Sequence, residues 1–321
     1  MKNKFNFFFD TIESEIQKRR FSGNPENLYD SLNYIISLGG KRIRPILALA
    51  ANDMFSGNID YAIPAALSVE VFHNFSLIHD DIMDKAPLRR GKPTIHIKWN
   101  SDTAILSGDL MLVKAYEIIA QSENKHLARL LNVFNKTAAQ VCEGQQMDMN
   151  FETQENIGEK DYIEMIKLKT SVLLGCSLQM GAITADVDEI EFEKIYDLGI
   201  NMGLGFQLMD DYLDTFGNPE HTGKQAGGDI LSRKKTLLFI NAIEFDKNNF
   251  LKIIDSKTLH DNEKIEKVRE IYIKSGAKDY LKNLSENYFE KSLQMLSEIE
   301  VEEKNKITLS NIISLLRERK N

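Results

Sequence analysis

Residues 75–94 read FSLIHDDIMDKAPLRRGKPT, and residues 207–219 read QLMDDYLDTFGNP. In both, an apolar run ends in the pattern DDxxD and is then cut by proline or by glycine and proline. On a helix, side chains four residues apart share a face, so Asp80 stands over Asp84 and Asp210 over Asp214. The helices are expected to run from Ala65 to Asp84, stopped by Pro87, and from Ile195 to Phe216, stopped by Gly217-Asn218-Pro219. Carboxylates in a last helical turn oppose the macrodipole, each by about 0.3–1 kcal/mol. A hard cation offsets that, and Mg2+ takes one or two carboxylates together with phosphate oxygens and water. Two such clusters, facing each other across an apolar cavity, are expected to hold several Mg2+ ions around one diphosphate.

A diphosphate site needs cations as well, and they flank the aspartates. Gly39-Gly40-Lys41-Arg42-Ile43-Arg44-Pro45 closes one helix at its glycines and opens the next with three cations. Cations are unfavourable at a helix N-terminus unless an anion joins them there. Arg89-Arg90-Gly91-Lys92-Pro93-Thr94 follows the first aspartates on a loop bounded by prolines, and arginine forks suit bidentate phosphate binding. Gly223-Lys224 and Lys234-Lys235-Thr236 follow the second. Residues 217–224 are not a Walker A loop, because no Ser or Thr follows Lys224 and no strand precedes the segment.

The rest of the chain reads as helices. No proline occurs from Thr94 to Asn218, and apolar residues recur at helical spacing, as in Ile105, Leu106, Leu110, Val113 and Tyr116, then Leu127, Leu130, Leu131, Phe134 and Ala138. Alternating strand patterns are nearly absent, so the expected class is all-α. With 321 residues, 42% of them hydrophobic, and no linker-like stretch, the chain is expected to form one domain over 1–321. A net charge of −8 argues against nucleic acid as a partner. Cys142 and Cys176 are expected to be buried thiols, and Met147, Met149 and Met165 to fill core space. His79 and His96 are expected to pack or hydrogen-bond. No signal-peptide core and no membrane-spanning run can be made from the sequence, so a cytoplasmic protein without integral membrane association is expected.

Taken in order and spacing, these motifs resemble the trans-isoprenyl diphosphate synthase (polyprenyl synthetase) family from Gly39 to Thr236. The resemblance implies an isoprenoid-synthase-type bundle of long helices around a central apolar cavity, working as a homodimer. It implies that Gly40, Lys41, Arg44 and His73 bind isopentenyl diphosphate together with Arg90, and that Arg89 holds the allylic diphosphate. Asp80, Asp81, Asp84, Asp210, Asp211 and Asp214 become the metal set, for three Mg2+ ions that Mn2+ can replace. Gly144-Gln145-Gln146-Met147-Asp148 resembles a GQxxD segment, Lys169 and Thr170 a diphosphate-touching pair, and Gln207 part of the second aspartate motif. Gly223 to Asp229 resembles GKxxGGD, implicating Lys224, and Lys234 resembles a further phosphate ligand. Arg233 departs from the family's usual glycine, which leaves Lys234 and Lys235 both open as that ligand. Asp80, Asp84, Asp210, Lys169 and Lys224 are thereby the expected catalytic residues.

The implied reaction condenses isopentenyl diphosphate with dimethylallyl, geranyl or farnesyl diphosphate. Product length should depend on side chains upstream of Asp80. At a rise of about 1.5 Å per residue, Phe75 lies about 7 Å and Phe72 about 12 Å below the first aspartate. Phe75 followed by the small Ser76 resembles geranylgeranyl-type enzymes. C20 is therefore the expected product, with a farnesyl or longer-chain synthase as the alternative. A ferritin-like di-iron protein is a remote alternative, suggested by Glu70-Val71-Phe72-His73 and Glu123-Asn124-Lys125-His126. It leaves the aspartates and the basic loops unexplained.

Overall fold

The structure is a computed structural model that describes residues 4–217 and 227–318. Its described residues divide between two compact units. The first draws on 1–136, 176–196 and 299–309, and the second on 137–175, 197–298 and 310–321.

In the first unit the organising element is α4 (Ile59–Met83), which packs against both α3 (Ile43–Met54) and α6 (Ser101–Ile119). Apolar residues cover all sides of α4, and most of the helix from Ala62 to Ile78 is buried. Asn58 caps its start by accepting from the Asp60 N–H (3.0 Å). The helix begins earlier than Ala65 and runs through Pro64. The proline is tolerated because the N–H it lacks would have served only the Asp60 carbonyl, near the helix start. The C-terminal end agrees with the expected Asp84, which is the C-cap; Lys85 is left-handed (φ 52°), two residues before Pro87. Helix α1 (Lys4–Lys18) buries Phe8 and Ile12 and lies on α3, while α2 (Glu26–Ser37) lies on α6.

Between α4 and the short α5 (Ile95–Lys98) the chain forms a hairpin that the alternation rule did not expect. Strands β1 (Leu88–Arg89) and β2 (Lys92–Pro93) pair antiparallel, Arg89 opposite Lys92. The two residues at its tip, Arg90 (φ 51°) and Gly91 (φ 73°), are both left-handed. That is the geometry of a two-residue hairpin loop. Tyr34 of α2 pins the far strand by donating its hydroxyl to the Pro93 carbonyl (2.7 Å), and Thr94 donates to the Ala86 carbonyl (2.8 Å).

Helix α7 is Asn124–Thr153, α8 is Glu159–Ile166, α9 is Val172–Ile183 and α10 is Glu189–Phe216. Helix α10 thus begins six residues before the expected Ile195, and its C-terminal end agrees with the sequence reading. A π-helical turn, Lys167–Ser171, joins α8 to α9. In the second unit α12 (Leu237–Ile254), α13 (Asp261–Lys274) and α14 (Ala277–Ser297) pack together, with the short α11 (Gly228–Leu231) against α13. Phe239, Phe250 and Tyr272 stack at centroid distances of 5.0 and 5.9 Å within that packing. No described helix is long and apolar enough to cross a membrane.

Two packing expectations are corrected. Cys142 is exposed, and only Cys176 is buried. Met149 is exposed as well, at 39%, because that side of α7 lies outside the apolar stripe. His126 is 4% exposed and bonded to Asp186 (2.8 Å).

Candidate active site

The last turn of α4 closes when the Asp84 N–H donates to the Asp80 carbonyl (2.8 Å), which keeps the two side chains on one face. Asp81 turns into the protein and is 2% exposed. Arg89 donates to both of its oxygens, from Nε (2.8 and 3.0 Å) and from Nη2 (2.7 Å), and the same Nη2 lies 3.8 Å from Asp80. Burial holds the Asp81 carboxyl above its usual range in spite of those bonds. The middle aspartate therefore ties the hairpin to α4.

The Gly39–Arg44 segment crosses the same unit. Gly39 (φ 74°), Gly40 (φ 143°) and Arg42 (φ 49°) all adopt positive φ. At Gly40 the backbone conformation itself disfavours a side chain, and a Cβ would lie 2.9–3.1 Å from the Arg90 guanidinium, which would have to move aside. Arg42 is the N-cap of α3, and the Ile46 N–H donates to its carbonyl (3.1 Å). Its guanidinium bonds Glu13 and Glu70 (both 2.7 Å) and the Ile36 carbonyl (2.9 Å). Two residues on, Arg44 donates Nη1 to His73 Nε2 (3.1 Å), while its buried Nε finds no acceptor among the described residues. Desolvation pulls the Arg44 guanidinium down to about 10, with Glu70 opposing and Arg90 assisting. Burial and the surrounding arginines, Arg44 first among them, hold His73 far below its ordinary value, so its ring is neutral and can accept. A desolvated cation with an unmet donor is poised for an anion.

Upstream of Asp80, Phe72 and Phe75 are both buried, with ring centroids 5.3 Å apart. Phe72 also meets Phe134 (5.2 Å), which meets Tyr116 (5.1 Å), and Phe75 meets His79 (5.0 Å). Ser76 donates to the His73 carbonyl (2.9 Å), and His79 hydrogen-bonds the Ile105 carbonyl (3.1 Å) as expected of a packing histidine.

The second unit repeats the division of labour within its aspartates. Asp211 is 4% exposed; Tyr162 donates to it in a short hydrogen bond and Gln207 donates from Nε2 (3.0 Å). Thr170 extends the chain by donating to Gln207 Oε1 (3.1 Å). Burial, then the neighbouring Asp229 carboxylate, pushes the Asp211 carboxyl up to about 8. Asp214 accepts the Asp229 N–H (2.9 Å), so it caps the turn into α11. Lys169 donates to Asp148 (2.6 Å). Lys235 donates to the Glu152 and Gln154 carbonyls at the end of α7, a C-capping role, whereas the charge of Lys234 is felt at Asp211. Arg233 pairs with Asp255 (2.8 Å). Gly223 and Lys224 lie outside the described residues.

Among the described residues no group of three or more His, Cys, Asp or Glu could enclose a metal by itself. An oxygen-only pair such as Asp80 with Asp84 fits Mg2+, whose remaining ligands are ordinarily substrate phosphate and water. The Glu-x-x-His pairs are committed elsewhere, Glu70 and His73 to arginines and His126 to Asp186. Tyr162 had no signal in the sequence, since it lies 49 positions from the carboxylate it binds.

The chain is similar to known proteins over most of its length. A geranylgeranyl diphosphate synthase of Methanosarcina mazei is 40% identical over 276 residues, 85% of this chain and 84% of that protein. A geranylfarnesyl diphosphate synthase of Aeropyrum pernix is 35% identical over 92% of this chain and 95% of that one. The crystal structure of a geranylgeranyl pyrophosphate synthase is similar with a TM-score of 0.94 and 45% identity, covering 99% of both chains. The polyprenyl synthetase family model matches residues 25–274, which include both aspartate motifs and every basic segment described above, and the chain belongs to that family.

Proposed function

We propose that this prenyltransferase condenses isopentenyl diphosphate with an allylic diphosphate and releases geranylgeranyl diphosphate and pyrophosphate. The observation that carries the reading is the pair of guanidinium groups Arg44 and Arg90 beside a neutral His73, with its unmet Arg44 donor, on the same helix-and-hairpin frame that presents Asp80 and Asp84. Incubation with labelled isopentenyl diphosphate and farnesyl diphosphate, followed by chromatography, tests it; absence of any C20 product refutes it.

In this mechanism Lys41, Arg44, His73 and Arg90 hold the diphosphate of the isopentenyl substrate, and orientation of its double bond does most of the work. By their place in the family's motifs, Arg89, Lys169, Thr170, Gln207, Lys224 and Lys234 would bind the allylic diphosphate. Asp80, Asp84 and Asp210 would hold Mg2+, which when bound neutralises charge on the departing pyrophosphate. Asp81, Asp211 and Asp214 complete the same metal set and also accept hydrogen bonds within the protein, from Arg89, from Tyr162 and Gln207, and from the Asp229 N–H. The allylic C–O bond breaks, the isopentenyl double bond attacks the allylic carbon, and a proton leaves to the released pyrophosphate. No side-chain nucleophile takes part.

Product length is read from Phe75 and Ser76, because the relatives' names include both geranylgeranyl and geranylfarnesyl enzymes at similar identity. Phe75→Ala should move the main product to C25 and beyond while turnover continues. An unchanged product distribution would place the floor elsewhere, for example at Phe134.

We further propose a cytoplasmic homodimer. Helix α6 exposes Ile105, Leu106 and Val113, between 45% and 56% accessible, as a partner face would require. Light scattering should give about twice the 36.7 kDa chain mass, and a monomer at working concentration refutes it.

A further inference from the structure

We propose that Glu70, assisted by Glu13, is a positioning residue for isopentenyl diphosphate binding: it fixes Arg42, and thereby the loop that carries Lys41 and Arg44. The inference rests on the assignment of that loop to isopentenyl diphosphate. Arg42 is a non-glycine residue with φ 49°, a conformation that persists only where its surroundings over-determine it. They do so from three directions. Glu13 of α1 takes Nε (2.7 Å), Glu70 of α4 takes Nη1 (2.7 Å), and the Ile36 carbonyl of α2 takes Nη2 (2.9 Å). The Arg42 and Glu70 side chains are 1% and 4% exposed, so this is a dry, charge-assisted contact.

Glu70 is itself held, because Asn74 donates to its side chain (3.2 Å) and to its carbonyl (2.8 Å). His73 follows one turn later on the same face of α4 and contacts Arg44 (3.1 Å). A single turn of α4 therefore grips the tetrapeptide 41–44 at two points, Glu70 at Arg42 and His73 at Arg44. The Glu70 charge also reaches Arg44 and Arg90, where it counters desolvation. A carboxylate bonded to Arg42 and attracting Arg44 and Arg90 offsets the mutual repulsion of the three guanidinium groups. Arg42, fully engaged by protein, is thus the loop's anchor and leaves its two neighbours to meet substrate.

The test uses the full-length enzyme and four proteins: parent, Glu70→Gln, Glu13→Gln and Lys41→Ala. KM is measured separately for isopentenyl and farnesyl diphosphate, with kcat and a thermal melt. Loss of one charge-assisted bond predicts that Glu70→Gln raises KM for isopentenyl diphosphate about tenfold and leaves the farnesyl KM within about twofold. Glu13→Gln should act in the same direction, by about threefold, since its side chain is partly exposed and the Glu70 pair survives. Equal changes in both KM values, or none in a folded protein, overturn the proposal, because a merely structural residue would not separate the two substrates. If Glu70→Gln does not fold, Glu13→Gln decides, and an unchanged isopentenyl KM there overturns it. Lys41→Ala separates the two layers. If it raises that KM while the glutamate variants do not, the anchor idea fails and the loop assignment stands; if it too has no effect, both fall.

Discussion

Asp80→Ala and Asp210→Ala should each lower kcat by about 10²–10³-fold, the size seen when a group that stabilises developing charge is removed. Neither should unfold the protein. Asp80 is part-exposed in the last turn of α4, where its charge opposes the helix dipole, so its loss relieves about 0.3–1 kcal/mol. Asp81→Ala and Asp211→Ala should behave differently, lowering the melting temperature as well, since each deletion strands buried donors: Arg89 in one case, Tyr162 and Gln207 in the other. Paired kinetics and thermal melts on the four variants check this. Loss of the helical CD signal in Asp80→Ala would make that residue structural. On the same reading, excess chelator should abolish turnover, and added Mg2+ or Mn2+ should restore it. Full activity in chelator would remove the metal from the mechanism.

The second large effect concerns Gly144. It is buried in α7, and a Cβ there would lie 2.3 Å from the Lys169 nitrogen, 2.7 Å from the Leu168 carbonyl carbon and 2.8 Å from the Lys169 Cα. All three are backbone atoms, so no side chain can rotate away. In most helices Gly→Ala is stabilising by about 1 kcal/mol. Here overpacking should reverse the sign, with a net loss of about 1–3 kcal/mol. The π turn must also shift, carrying Lys169 off Asp148 and Thr170 off Gln207, so the allylic KM should rise more than the isopentenyl KM. A Gly144→Ala enzyme with the parent's melting temperature and kinetics would show that the crossing is looser than these distances indicate.

Much of this was legible before any coordinates. Apolar periodicity and the absence of proline from Thr94 to Asn218 announced long helices, and both aspartate motifs sit at the helix ends where glycine and proline put them. What the sequence concealed are properties of pairs. The 88–93 hairpin has strands of two residues, too short for alternation to register, and its turn shows in the sequence only as the single glycine of Arg90-Gly91. Nothing local marks Tyr162 as the partner of Asp211 or Glu13 as a partner of Arg42, because those contacts join residues far apart in the chain. Glu70 reads in the sequence only as half of a possible iron motif, since its arginine lies 28 positions away. Nor does anything local mark Lys235 as a partner of the Glu152 and Gln154 carbonyls at the end of α7.

The π-helical turn at Lys167–Ser171 fits an extra residue into the path between α8 and α9. A π turn uses about one residue more for the same rotation than an α turn does, so the wider turn absorbs a residue that a regular helix cannot. In the α-helical stretch 163–166 there is no such slack: one residue added or removed there would turn Tyr162 by about 100° relative to Lys169 and Thr170. Either Tyr162 would swing off Asp211, or Lys169 and Thr170 would swing off Asp148 and Gln207. Single substitutions leave that register intact. Evolutionary insertions and deletions should therefore accumulate in connections such as residues 154–158, between α7 and α8, and be purged from residues 163–166.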